Sequence, residues 1–207
     1  MNTPLDQLVQ NRTGLVKFAR IYSNVVSPPV MFAILGLAIP LKTLSFWPGF
    51  VWAAVYGLLV SLAPILVVLY LLKIGYISEL HMSNTKERHL PYATAVAFAL
   101  IALGIVSWFD GPELLRCLLI FNVVELAALG IINIWWLISI HVTGVVATWI
   151  IVGLVFGWTA SLIVVPFVLS VAWVRLYLKR HTPWQVIAGG ALGILSVLSL
   201  RLIGCFG

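Results

Sequence analysis

Charge is what this chain has least of. Only 9% of its 207 residues are Asp, Glu, Lys or Arg, while 62% are apolar. A water-soluble domain carries about 25% charged and 45–50% apolar residues. So few ionisable groups cannot coat a globular surface, which excludes an ordinary soluble domain and makes the bilayer the solvent. Cysteine is nearly absent. Cys117 and Cys205 lack metal-ligand spacing and lie in or beside apolar runs, so they read as packing residues. No Ser/Gly/Pro-rich linker and no charge block divides the chain, which excludes a second, tethered domain. No basic run with interleaved aromatics exists, so the excess of 12 Lys and Arg over 6 acids does not mark a nucleic-acid binder. Asp6, Arg12, Lys17 and Arg20 interrupt the first 20 residues, unlike the apolar core of a cleavable signal peptide.

What the chain has in quantity is long apolar runs. A membrane-crossing helix needs about 20 mostly apolar residues. Runs of this kind cover 23–41, 50–74, 91–109, 115–138, 142–158, 160–178 and 184–204. The expected fold is all-α, a polytopic transmembrane bundle of six or seven spans, the short fifth run deciding the number. Residues 1–22 mix Leu5, Leu8, Val9, Leu15, Val16 and Ala19 with charged and amide residues, the pattern of an amphipathic helix on the membrane surface. The rest, 23–207, reads as one transmembrane domain. Trp47, Trp52, Trp108, Trp135, Trp136, Trp158 and Trp184 fall near span ends, as aromatic belts do.

Alternating seven spans puts Arg12, Lys17, Arg20, Lys73, Lys86, Arg88, Arg175, Lys179 and Arg180 on one face, here side A. Lys42, Arg116 and Arg201 fall on the opposite face, side B. The bias of nine to three makes side A cytoplasmic, in a plasma (inner) membrane.

Three polar segments far apart in sequence reach side A. Residues 79–91 carry His81, Lys86, Arg88 and His89; residues 139–144 carry Ser139 and His141; residues 175–185 carry Arg175, His181 and Gln185. All four histidines of the chain lie in these segments. Guanidinium forks and an ammonium grip phosphate, and an imidazole near neutral pH serves as nucleophile or acid. Arg175, five residues, His181, three residues and Gln185, followed by Val-Ile-Ala-Gly-Gly-Ala, resembles the third signature of the type-2 phosphatidic acid phosphatase superfamily. Ser139-Ile-His141 resembles the second signature and residues 78–91 the first, so the likeness covers about residues 78–200.

That resemblance implies a lipid-phosphate phosphohydrolase with a phosphohistidine intermediate and neither metal nor cofactor. His181 would be the nucleophile and His141 the acid for the leaving oxygen. Arg88, Arg175, Lys86 and Ser139 would bind the substrate phosphate, and Gln185 would orient His181. The implied substrate is a membrane lipid or isoprenoid phosphate, with the bilayer itself and a homo-oligomer or membrane complex as the other partners. The chain departs from the signatures at several points. His81 stands where the first has lysine, Ile138 and Ile140 replace the proline and glycine of the second, Val174 replaces the serine of the third, and Gln185 replaces its aspartate. Gln185 also fits a capping box opened by Thr182 and Pro183, which would occupy it structurally. These departures support a second reading, a non-catalytic relative that binds lipid phosphate or serves as a structural subunit. A transporter is a third reading, resting on Glu125 and the asparagines around it. Glu125 lies 14 residues before Ser139, roughly 21 Å of helix rise, which favours an interhelical hydrogen bond over direct catalysis.

Overall fold

The computed structural model describes residues 4–5, 14–80, 82 and 85–206. Its described residues form helices and no strands: α1 (Gly14–Val25), α2 (Pro28–Thr43), α3 (Phe46–Tyr56), α4 (Ala63–Lys73), α5 (His89–Trp108), α6 (Glu113–Ile132), α7 (Ile140–Phe156), the single turn α8 (Trp158–Ser161), α9 (Val165–Tyr177) and α10 (Pro183–Leu202). A π-helical turn, Gly57–Leu62, joins α3 to α4, and a 3₁₀ turn, Thr85–Arg88, precedes α5. Six helical stretches are long and apolar enough to cross a membrane, and α7 is a shorter apolar helix of 17 residues. Large apolar side chains such as Ile163, Leu169, Leu195 and Leu202 are exposed, as a lipid solvent requires.

The chain divides into two compact units, Met1–Met31 with Ile138–Leu198, and Phe32–Leu137 with Ser199–Gly207. In the first unit α1 packs antiparallel on α9, with Ala19, Val174 and Leu178 at the centre and Val16, Tyr22 and Tyr177 around them. α1 opens the helical stretch Gly14–Thr43. At 30 residues this stretch is about ten longer than the hydrocarbon core needs. The remainder of the expected surface helix, residues 6–13, lies outside the described residues.

α7 is buried on most sides, from Val142 to Val155, and this is why its sequence is apolar all round. Its closest neighbour is set by glycine. A Cβ on Gly189 would meet the Ser139 carbonyl at 2.8 Å, and one on Gly193 would meet the Thr143 carbonyl at 2.5 Å and the Ala147 amide at 3.2 Å. Contacts that advance by four residues on both helices mean that α7 and α10 run parallel, at the close approach which small residues four apart allow. Gly157, at φ +97°, ends α7 and reverses the chain into α8 and α9.

In the second unit α3, the π turn and α4 make one continuous helix, and α5 pairs with α6. Gly36 leaves room for the Tyr56 ring on α2, and Phe32 meets Phe121 edge-on. Cys117 and Cys205 are not two separate packing residues: a disulfide joins them, with their Cα atoms 5.4 Å apart.

The Ser139 amide donates to the Gln185 carbonyl at 3.2 Å, which brings the first turns of α7 and α10 to one edge of the first unit.

Candidate functional site

The Arg175–His181 spacing has a local cause. α9 ends in a Schellman cap, in which the Arg180 amide donates to the Arg175 carbonyl at 3.1 Å and the Lys179 amide to the Leu176 carbonyl at 2.9 Å. Lys179 takes the left-handed residue of the cap, at φ 54°. This reversal folds the chain back over the last turn of α9, and the His181 amide also points at the Arg175 carbonyl, at 3.4 Å. The side chains then meet: Arg175 Nη2 lies 3.2 Å from His181 Nε2. A guanidinium only donates, so Nε2 accepts and the imidazole proton resides on Nδ1. Arg175 Nη1 donates to Ser23 Oγ at 3.0 Å. Arg175 is 3% exposed and His181 7%.

Directly after His181 comes the capping box. Gln185 Oε1 accepts from the Thr182 amide at 2.9 Å, and Thr182 Oγ1 accepts from the Gln185 amide at 3.4 Å. The carbonyl oxygen of Gln185 therefore serves the amino terminus of α10. Ser139 likewise acts as N-cap of α7, its Oγ accepting from the Val142 amide at 3.4 Å while its carbonyl accepts from Thr143 Oγ1 at 2.9 Å. Ser139 is fully buried and turned into its own helix. His141 stands in the first turn of α7, half-buried. The Ser139–Gln185 bond ties the amino-terminal ends of α7 and α10 together. Both helix dipoles thus present their positive ends on the edge that carries Arg175, His181 and His141. The sequence of this unit holds Arg12, Lys17, Arg20, Arg175, Lys179 and Arg180 against Asp6 alone, six positive charges less one negative, or +5. A field of that sign at low dielectric attracts anions.

Lys86 and Arg88 belong to the second unit. Lys86 is exposed on the 3₁₀ turn, while Arg88 is 7% exposed and its Nε donates to the Met82 carbonyl at 2.7 Å. The Tyr92 hydroxyl is a second neighbour of Arg88. Glu87 accepts from the Ser78 amide at 2.9 Å and from the Ser78 hydroxyl at 3.0 Å, which closes the polar loop into which Arg88 reaches. His89 opens α5 and is exposed, and His81 lies outside the described residues. Among the described residues no three His, Cys, Asp or Glu side chains gather as a metal site would require.

Sequence reasoning passed over Ser23. Its signal was the spacing of Ala19 and Ser23, four residues apart on one face of α1, but α1 had been assigned to the membrane surface. It also passed over Tyr92, which lies inside an apolar run with no motif to mark it. No protein-family model, no curated protein and no solved structure matches this chain.

Proposed function

We propose that this protein is a membrane lipid-phosphate phosphohydrolase that works through a phosphohistidine. The observation that carries this reading is the buried Arg175–His181 contact at the positive end of α10. Arg175 holds a neutral imidazole with its Nε2 lone pair directed at the guanidinium. A phosphate entering there takes over the arginine's hydrogen bonds and meets that lone pair. His181 Nε2 then attacks phosphorus in line, so that a P–N bond forms as the P–O ester bond breaks. His141, in its protonated form, gives its proton to the departing lipid oxygen. Water next attacks the phosphohistidine, the P–N bond breaks, inorganic phosphate leaves, and the water proton returns to His141. Arg175 stabilises the equatorial oxygens. An apolar tail, on a glycerolipid or an isoprenoid phosphate, fits a site at the ends of lipid-embedded helices.

We place the site on the cytoplasmic face of a plasma (inner) membrane. The nine-to-three charge bias supports this, and so does the disulfide, which lies at side B, where an oxidising compartment would preserve it. A reporter fused after Gly207 that works only outside the cytoplasm should be active, and activity of a cytoplasm-only reporter would reverse the assignment.

The capping role of Gln185 favours a second reading, a lipid-phosphate binder without turnover, because that oxygen accepts from the Thr182 amide and carries no negative charge to polarise His181. Purified protein in detergent, offered phosphatidate and an isoprenoid phosphate, decides between the two. Phosphate release without added metal, lost in His181→Ala, is the expected result. Saturable binding with no release from either substrate establishes the second reading, and neither binding nor release rejects both.

A further inference from the structure

One hydroxyl in the first unit behaves unlike its neighbours. Thr143, Thr148, Ser161 and Ser170 each donate to a carbonyl three or four residues earlier in the chain, at 2.6–2.9 Å. Ser23 lies within α1 and is 2% exposed, yet its Oγ is turned away from its own helix and toward α9. Among the described residues this hydroxyl has a single partner, Arg175 Nη1 at 3.0 Å. A guanidinium donates and never accepts, so the oxygen of Ser23 is used and its hydroxyl hydrogen is not. A buried O–H with nowhere to donate is a cost that folded proteins seldom leave standing.

Holding α1 against α9 does not account for that hydroxyl. Ala19 packs on Val174 and Leu178, and the Tyr22 hydroxyl meets Ser170 Oγ a turn or so further along α9. Ser170 already donates to the Pro166 carbonyl, so it accepts from Tyr22. These contacts fix α1 on either side of Ser23, and an alanine at 23 would keep them all. A third group gives the arrangement its sense. Arg175 holds Ser23 Oγ through Nη1 and His181 Nε2 through Nη2, one partner coming from α1 and the other from the turn after α9. An anion that takes over those two donors lies between both former partners. His181 then faces it with a lone pair. The Ser23 hydroxyl, no longer needed as an acceptor, turns about its C–O bond and donates, an exchange that a carbonyl or carboxylate oxygen cannot make. We infer that Ser23 is a further phosphate-binding residue of this site, its O–H donating to an oxygen of the phosphate group that Arg175 holds. The inference rests on the lipid-phosphate reading and extends its site onto α1.

Titration calorimetry of the purified full-length protein in detergent tests the inference. The probes are inorganic phosphate and a phosphonate analogue of phosphatidate, whose P–C bond resists hydrolysis. The wild type should bind the phosphonate, and Ser23→Ala should bind it roughly tenfold or more weakly, the effect of losing one hydrogen bond to a charged group. Infrared spectra of the two complexes should differ in the P–O stretching bands of the bound phosphonate, because a donor to its oxygens is gone. A serine that only packs α1 on α9 would leave those bands where they are. Equal affinity in Ser23→Ala, or P–O bands that the substitution does not move, overturns the inference and leaves the lipid-phosphate reading standing. A wild type that binds neither probe overturns both. The same loss for the two probes assigns Ser23 to the phosphate group whatever it is attached to, and binding of the phosphonate alone, with that loss, assigns it to a lipid head group. If Ser23→Ala does not fold, Ser23→Cys is read in the same way, since a thiol keeps the shape and is a weak donor.

Discussion

The two units handle polar groups inside a membrane in opposite ways. In the first, polar side chains gather where helices end. Ser139 and Thr182 cap α7 and α10, Gln185 completes the second cap, and a Schellman turn brings His181 over Arg175. In the second, Asn122, Glu125 and Asn133 sit within the length of α6 and meet tyrosines from neighbouring helices. Helix ends carry amides and carbonyls that need partners in any case, so a binding site built there adds little unsatisfied polarity. A polar side chain in mid-helix needs a partner that the complete backbone bonds do not supply, which makes it costly in a bilayer. The first unit thus gathers its polar groups at helix ends, and the second keeps two amides and a carboxyl within a helix.

Substitutions that attack each arrangement differ in expected size. Gly193→Leu should have the largest effect, because the side chain would be driven into the Thr143 carbonyl and separate α7 from α10; we expect no monodisperse protein in size-exclusion chromatography. Reducing the Cys117–Cys205 bond should lower the thermal midpoint of the second unit clearly while leaving phosphate binding by the first intact, as read by melting with and without reductant. The two cysteines are 88 residues apart, and a cross-link of that span in a fully unfolded chain would contribute about 4–5 kcal/mol; helices that persist in lipid reduce this. Gln185→Ala should cost about 1 kcal/mol through the lost cap, as measured by denaturant titration in detergent. If Gln185 instead orients His181, turnover would fall with little change in stability. Lys179→Gly should have the smallest effect, a gain of about 1 kcal/mol, since a β-carbon is disfavoured at φ 54°.

Much of the fold was legible because apolar length is a direct consequence of bilayer thickness. The runs at 50–74, 91–109, 160–178 and 184–204 correspond to helical stretches found within a few residues of those limits. The run at 115–138 ends early, at Ile132, because Asn133 caps α6 through its side chain and the next residues turn. Arg175 and His181 were singled out by their spacing, and the cap at the end of α9 brings their side chains together. The disulfide was not, because two cysteines 88 residues apart carry no pairing signal. The double meaning of Gln185 was visible, since capping-box spacing and the His-to-Gln spacing overlap there; which atom its oxygen meets needed coordinates. Ser23 was hidden by the division of the chain, its unit being assembled from two segments more than a hundred residues apart.

The central claim is that His181 becomes covalently phosphorylated beside Arg175. The most direct measurement is rapid base quenching of the purified protein mixed with a lipid phosphate labelled at phosphorus, followed by mapping of the labelled peptide. Phosphohistidine survives base and is lost in acid, so the account predicts acid-labile label on the peptide carrying His181, absent in His181→Ala and much reduced in Arg175→Met. Phosphate release that proceeds with no label on that peptide, or label that persists in His181→Ala, would contradict it.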